Sequence, residues 1–172
     1  QNSMKYEDYF VKILKKLSSA NSRKIVIGEY FNFDENIKFK NVDKLVFMSS
    51  SMGNSEMDWN YSGTGQTSVI CEDNKIFFLD RITIDDRLSY EDKKMWILND
   101  NDVLEFWHYR NNEYEKIFTF SKWEPNTLIA GEYICGDDVY MGRVEADNSD
   151  IIFIIEIKSK KKNELIKYKY FK

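Results

Sequence analysis

Leu165-Ile166-Lys167-Tyr168-Lys169-Tyr170-Phe171, near the C-terminus, is the stretch that decides the fold. Ile166, Tyr168 and Tyr170 alternate with Lys167, Lys169 and Phe171. A period of two, with one apolar-aromatic face and one mostly wet face, is the pattern of an antiparallel strand half-buried on a core. The run before it, Ile151-Ile152-Phe153-Ile154-Ile155, is apolar at successive positions and predicts a strand covered on both faces. A Lys-rich turn joins the two.

The same grammar extends backwards along the chain. Leu45-Val46-Phe47-Met48 is one short run. Val69-Ile70-Cys71 and Ile76-Phe77-Phe78-Leu79 flank the turn Glu72-Asp73-Asn74-Lys75. Met95-Trp96-Ile97-Leu98 and Val103-Leu104-Glu105-Phe106-Trp107 flank Asn99-Asp100-Asn101-Asp102. Asn111-Asn112 leads to a strand over 114–120, and Gly136-Asp137-Asp138 joins strands over 128–135 and 139–144. Asn and Asp suit such turns because they tolerate left-handed backbone. Connections this short join antiparallel neighbours, and the strands recur every eight to twelve residues as in all-β folds.

Ahead of these strands, Tyr6, Tyr9, Phe10, Ile13, Leu14 and Leu17 recur at helical spacing and predict an amphipathic helix over about 5–18. Strands are expected from about residue 24. The expected fold is therefore mainly β: an antiparallel meander forming a barrel or strongly bent sheet, with one N-terminal helix, in a single domain over 4–172. The charged stretch 85–93 is the weakest part of the strand pattern and reads as a site for a helical turn. Ser49-Ser50-Ser51-Met52-Gly53-Asn54-Ser55 and Ser62-Gly63-Thr64-Gly65-Gln66-Thr67-Ser68 read as polar loops at one end of the barrel.

The chain has 172 residues, 42% hydrophobic and 16% aromatic, which excludes a disordered chain. The length suffices to bury a core without disulfide or metal. Lys outnumbers Arg 20 to 5, with 18 Ile, 15 Asn and three Ala, a bias expected of a low-GC microbial genome. Gln1-Asn2-Ser3 ahead of Met4 reads as a cloning remnant. With Met4 as the start, a cytoplasmic protein is expected; with Gln1 as a mature end, a secreted one.

Chemistry-bearing motifs are sparse. His108 is the single histidine, in Phe106-Trp107-His108-Tyr109, and by itself builds no His-based metal site. It shares a strand face with Leu104 and Phe106 and reads as structural, with Trp107 on the opposite face. Cys71 and Cys135 stand beside acidic turns, which argues against a reactive thiolate. Gly63-Thr64-Gly65 lacks the Lys-Ser/Thr ending of a phosphate loop. No metal or other cofactor is implied, and catalysis is not expected.

The net charge is −4, while residues 158–172 alone carry seven Lys and one Glu. The body is therefore acidic, which disfavours nucleic acid as a partner. The leading expectation is a non-catalytic protein-binding module, such as a microbial immunity or inhibitor protein that neutralises a basic toxin through an acidic surface. Asp85, Asp86, Glu91, Asp92, Trp107, Asp137 and Asp138 are the candidate contact residues. The alternative is a β-barrel holding a small apolar or sugar ligand, lined by Trp59, Trp96, Trp107, Trp123 and the C-terminal tyrosines.

Overall fold

The computed structural model describes residues 42–101, 103–124, 127–147 and 150–172. The helix expected over 5–18 and the strands expected from residue 24 to 41 lie outside the described residues. Among the described residues twelve strands follow in chain order. They are β1 (Lys44–Ser51), β2 (Tyr61–Glu72), β3 (Lys75–Ile84), β4 (Leu88–Leu98), β5 (Leu104–Arg110), β6 (Glu113–Phe120), β7 (Lys122–Glu124), β8 (Thr127–Ile129), β9 (Tyr133–Cys135), β10 (Asp138–Asp147), β11 (Asp150–Lys158) and β12 (Asn163–Phe171).

Every pairing is antiparallel. The sheet runs β6-β5-β4-β3-β2-β1-β12-β11-β10-β8-β7, with β9 on β10. Sequence neighbours are sheet neighbours except where β1 meets β12 and where β8 pairs with β10, and β6 and β7 are not paired. The β1–β12 junction bends the meander round into a nearly closed barrel. The remaining slit lies between β6 and the β8–β9 segment, spanned by a hydrogen bond from Gly131 N to Thr119 O of 3.3 Å.

The turns follow from their residues. Asp85 and Asp86 both have positive φ, 51° and 57°, as do Asn111 and Asn112, 56° and 65°. Two left-handed residues in succession are what the two-residue hairpin at Asn111-Asn112 requires, while Asp85 and Asp86 belong, with Arg87, to a three-residue loop between Ile84 and Leu88. The stretch 85–93 contains no helical turn; it is this loop followed by the start of β4. Ser62 to Ser68 is likewise not a loop but half of β2. Glycine is needed there because β3 approaches closely: a Cβ on Gly65 would lie 2.0 Å from the Arg81 carbonyl oxygen.

The core is aromatic and sits in one half of the barrel. Trp96 of β4, Phe106 of β5 and Phe153 of β11 converge from opposite walls, with ring centroids 4.7–5.0 Å apart. Phe118 and Tyr168 close on Phe153 from either side. A register shift between Phe106 and Trp107 against β6 allows both Ile117 and Phe118 to be buried. Gly142 on β10 leaves room for the Phe118 ring, which a Cβ would meet at 2.5 Å. Ile151, Ile152, Phe153 and Ile154 are all buried, as an uninterrupted apolar run requires of a strand covered on both faces.

Candidate functional site

Strand alternation decides what points into the barrel, and the inward residues change character along it. On β4 the inward row is Leu98, Trp96, Lys94, Asp92 and Tyr90; on β5 it is Leu104, Phe106, His108 and Arg110. On β12 it is Tyr170, Tyr168, Ile166 and Glu164. Near the 73–74 and 99–103 turns these rows are apolar and buried. Towards the opposite end Tyr90, Asp92, His108, Arg110, Tyr140, Ile155 and Ile166 still face inward but are half-buried. The packed half thus forms a floor, and among the described residues the other half is the more open end.

A charged cluster lies at the boundary. Lys94 is 1% exposed and its Nζ donates to Asp80 Oδ2 at 2.5 Å and to Asp92 Oδ2 at 2.6 Å. The ammonium lies 3.7 Å from the Tyr168 ring centroid. Tyr170 OH donates to Asp80 Oδ2 at 2.6 Å. On the side of the open end, Asp92 Oδ1 meets His108 Nε2 at 2.6 Å. The His108 side chain is 32% exposed, so it is the member of the cluster that reaches the open end.

The electrostatics follow from burial and pairing. Burial pushes the Asp92 carboxyl up, but Lys94 and the His108 hydrogen bond outweigh it and hold the group well below the usual carboxylate range. Burial disfavours the Lys94 cation, yet Asp80 and Asp92 raise it well above an ordinary lysine. Desolvation, with Asp92 nearby, pushes Tyr90 up to about 12. Isolated charges in this position would each cost several kcal/mol, so the set holds together only as a paired unit.

Above His108 the wall is mixed. Arg110 donates to Glu115 at 2.8 Å and to Tyr133 OH at 3.0 Å, bridging β5 to β9 across the slit. Tyr133 packs edge-on against Tyr140 at 5.6 Å. The rim is fixed by Glu164, a buried carboxylate that accepts hydrogen bonds from Ser51 and Ser55 and so pins the 52–60 loop.

The seven residues proposed as a contact surface are distributed over the rim, the inner wall and the outer wall. Asp85 and Asp86 form the exposed β3–β4 turn at the rim. Glu91 is on the outer wall, paired with Arg81 at 3.0 Å. Asp92 points inward. Asp137 is exposed in the β9–β10 turn, and Asp138 is held by Lys162 at 2.7 Å. Trp107 is on the outer wall, half-buried, with Nε1 donating to Glu105 at 2.8 Å. It lies in the row of Met95 and Phe77, next to a surface recess of about 310 Å³ lined by Ile70, Phe77, Leu79, Lys93 and Tyr114.

Of the residues proposed to line a ligand site, Trp96 is buried in the packed half and Trp59 is at the rim, 5.6 Å from the Lys162 ammonium. Tyr168 alone of the C-terminal tyrosines touches the charged cluster's ammonium closely. Neither cysteine is in a disulfide; Cys135 is exposed and Cys71 half-buried. Among the described residues no group of three or more His, Cys, Asp or Glu side chains is placed to hold a metal. No helix among them is long and apolar enough to cross a membrane.

Lys94 and Asp80 were absent from the sequence reading. A signal was present: Asp80 falls on the Ile76, Phe78 and Ile82 face of β3, and Lys94 on the Trp96 face of β4. A charge in phase with an apolar row marks a buried charge.

No protein family model matches the chain, and no curated protein matches it. Two solved structures are similar to it. One is EF1p2_mFAP2b bound to DFHBI, at 10% identity and TM-score 0.41 over 76% of this chain and 91% of that one. The other is a redesigned beta barrel, mFAP1, also bound to DFHBI, at 10% identity and TM-score 0.33 over 75% and 93%.

Proposed function

We propose that the protein is a β-barrel that binds a small, largely apolar ligand in its open end. The observation that carries this reading is the division of the interior. One half is a close-packed aromatic floor, and the other presents half-buried Tyr90, His108, Tyr140, Ile155 and Ile166 inward around a buried charged cluster. A barrel filled for stability alone gains nothing by burying Lys94, Asp80 and Asp92, because a buried ion pair is often no better than apolar residues of the same volume. Apolar walls with a few convergent polar groups are what small-molecule sites share.

The inhibitor reading has less behind it. Asp92 and Asp138, two of its seven residues, are engaged in internal ion pairs, and Glu91 is paired with Arg81.

The test is titration with 1-anilinonaphthalene-8-sulfonate. The native protein is expected to bind one equivalent saturably. Ile166→Trp, which fills the open end, abolishes binding while keeping a cooperative thermal transition. Unchanged binding in the filled variant contradicts the reading.

A further inference from the structure

The geometry points to His108 Nδ1 as the atom that recognises the ligand, and to a ligand bearing a weakly acidic hydroxyl, of the phenol class, on a ring-sized apolar body. This rests on the open end being the binding site.

The imidazole is oriented from below. Its Nε2 is 2.6 Å from Asp92 Oδ1, and the other Asp92 oxygen is held by Lys94 at 2.6 Å. Asp92 is ionised, so it accepts, and Nε2 carries the hydrogen. The ring is further fixed by stacking on Phe106, centroids 5.9 Å apart at 30°. Nδ1 has no hydrogen-bond partner among the described residues, and the side chain is part-exposed at the open end.

That leaves one atom with two possible roles. In neutral His108, Nδ1 accepts a hydrogen bond; in the imidazolium it donates one. A weakly acidic O–H satisfies both states with the same two heavy atoms. The O–H proton moves to Nδ1, the electron pair stays on the ligand oxygen, and Asp92 stabilises the imidazolium that results. The same carboxylate–imidazole support operates in catalytic triads. An alcohol is too weak an acid to transfer the proton.

The surroundings select for this class. The charged or titratable groups facing His108 are Asp92, Lys94 and Tyr90 from β4, Arg110 on its own strand and Glu115 from β6. Asp80 and Asp92 together over-balance Lys94 and leave one negative charge beside His108, while Arg110 is paired with Glu115. Tyr133, Tyr140, Ile155 and Ile166 are half-buried apolar side chains that pack against the core.

The experiment uses 4-nitrophenol, whose phenolate is yellow and whose phenol is not, and its methyl ether, 4-nitroanisole, on the full chain. At a pH below the probe's own pKa, binding to the native protein is expected to develop the phenolate band. His108→Gln, whose amide can still reach Asp92, is expected to weaken 4-nitrophenol by about tenfold or more and to abolish the band, as loss of a charge-assisted hydrogen bond implies. 4-Nitroanisole is expected to bind more weakly and equally to both proteins. Equal binding of the two probes, lost together in Ile166→Trp, overturns the weak-acid inference and leaves the open-end reading standing. Binding of neither probe overturns both. Retention of the phenolate band in His108→Gln also overturns the assignment.

Discussion

Lys94 and Tyr168 meet across the barrel: the Lys94 ammonium on β4 lies 3.7 Å from the centre of the Tyr168 ring on β12, although three strands separate them in the sheet. Through Asp80, Asp92 and His108 the same ammonium links β3 and β5. One buried cation therefore organises four strands at the level where the packed half gives way to the open end.

Removing that cation strands two carboxylates. Lys94→Met keeps the volume but leaves Asp80 and Asp92 without their partner. Such a break in a buried pair costs about 3–5 kcal/mol. Urea unfolding of the variant measures it, and a loss under about 1 kcal/mol would show that the cluster is not a unit.

The cluster also sets a pH window. Asp92 is ionised in the fold well below its unfolded value of about 3.9, so its stabilisation is present above that pH and is lost as pH falls through the folded value. Lys94 is shifted upward, so its stabilisation is present below about pH 10.4 and is lost only as pH rises through the folded value. The stability gap between the native protein and Asp92→Asn is expected to shrink as the pH falls below about 4. A gap at pH 3 equal to that at pH 7 would contradict the assignment.

Much of this fold can be read from the chain. The hairpin turns at Asp73, Asn111-Asn112 and Gly136 stand out because their residues suit left-handed backbone. The face of His108 follows from its phase with Leu104 and Phe106. Two things were hidden for physical reasons. Gly63 and Gly65 give β2 the composition of a loop, because their role is to let β3 approach, and that role depends on a partner strand. Asp92 resembles the solvated acids around it, because its burial depends on its register with Lys94 and His108 across two hairpins. Periodicity along one strand gives faces; it does not give which residues meet across strands.

The glycines separate by environment. Gly65→Ala places a Cβ against the β3 backbone and is expected to cost about 1–3 kcal/mol. Gly131→Ala meets nothing within 4 Å and is expected to be within about 0.5 kcal/mol of native. Thermal melts of both variants check the contrast, and equal losses would refute the close approach of β3.

The aromatic floor depends on Phe153, which touches Trp96, Phe106, Phe118 and Tyr168. Phe153→Ala is expected to cost about 3–5 kcal/mol. Ile70→Ala, at a residue 58% exposed on the outer wall, is expected to cost little. Denaturant midpoints compare the two, and similar losses would mean the interior is not packed around Phe153.

The chain has one histidine, so protein labelled with ¹⁵N-histidine gives one imidazole to observe. Following its two nitrogen resonances while 4-nitrophenol is added tests the account most directly. Nδ1 is expected to shift saturably while Nε2 stays hydrogen-bonded to Asp92, and Ile166→Trp is expected to remove the response. An imidazole that does not respond to the probe would contradict the placement of the ligand at His108.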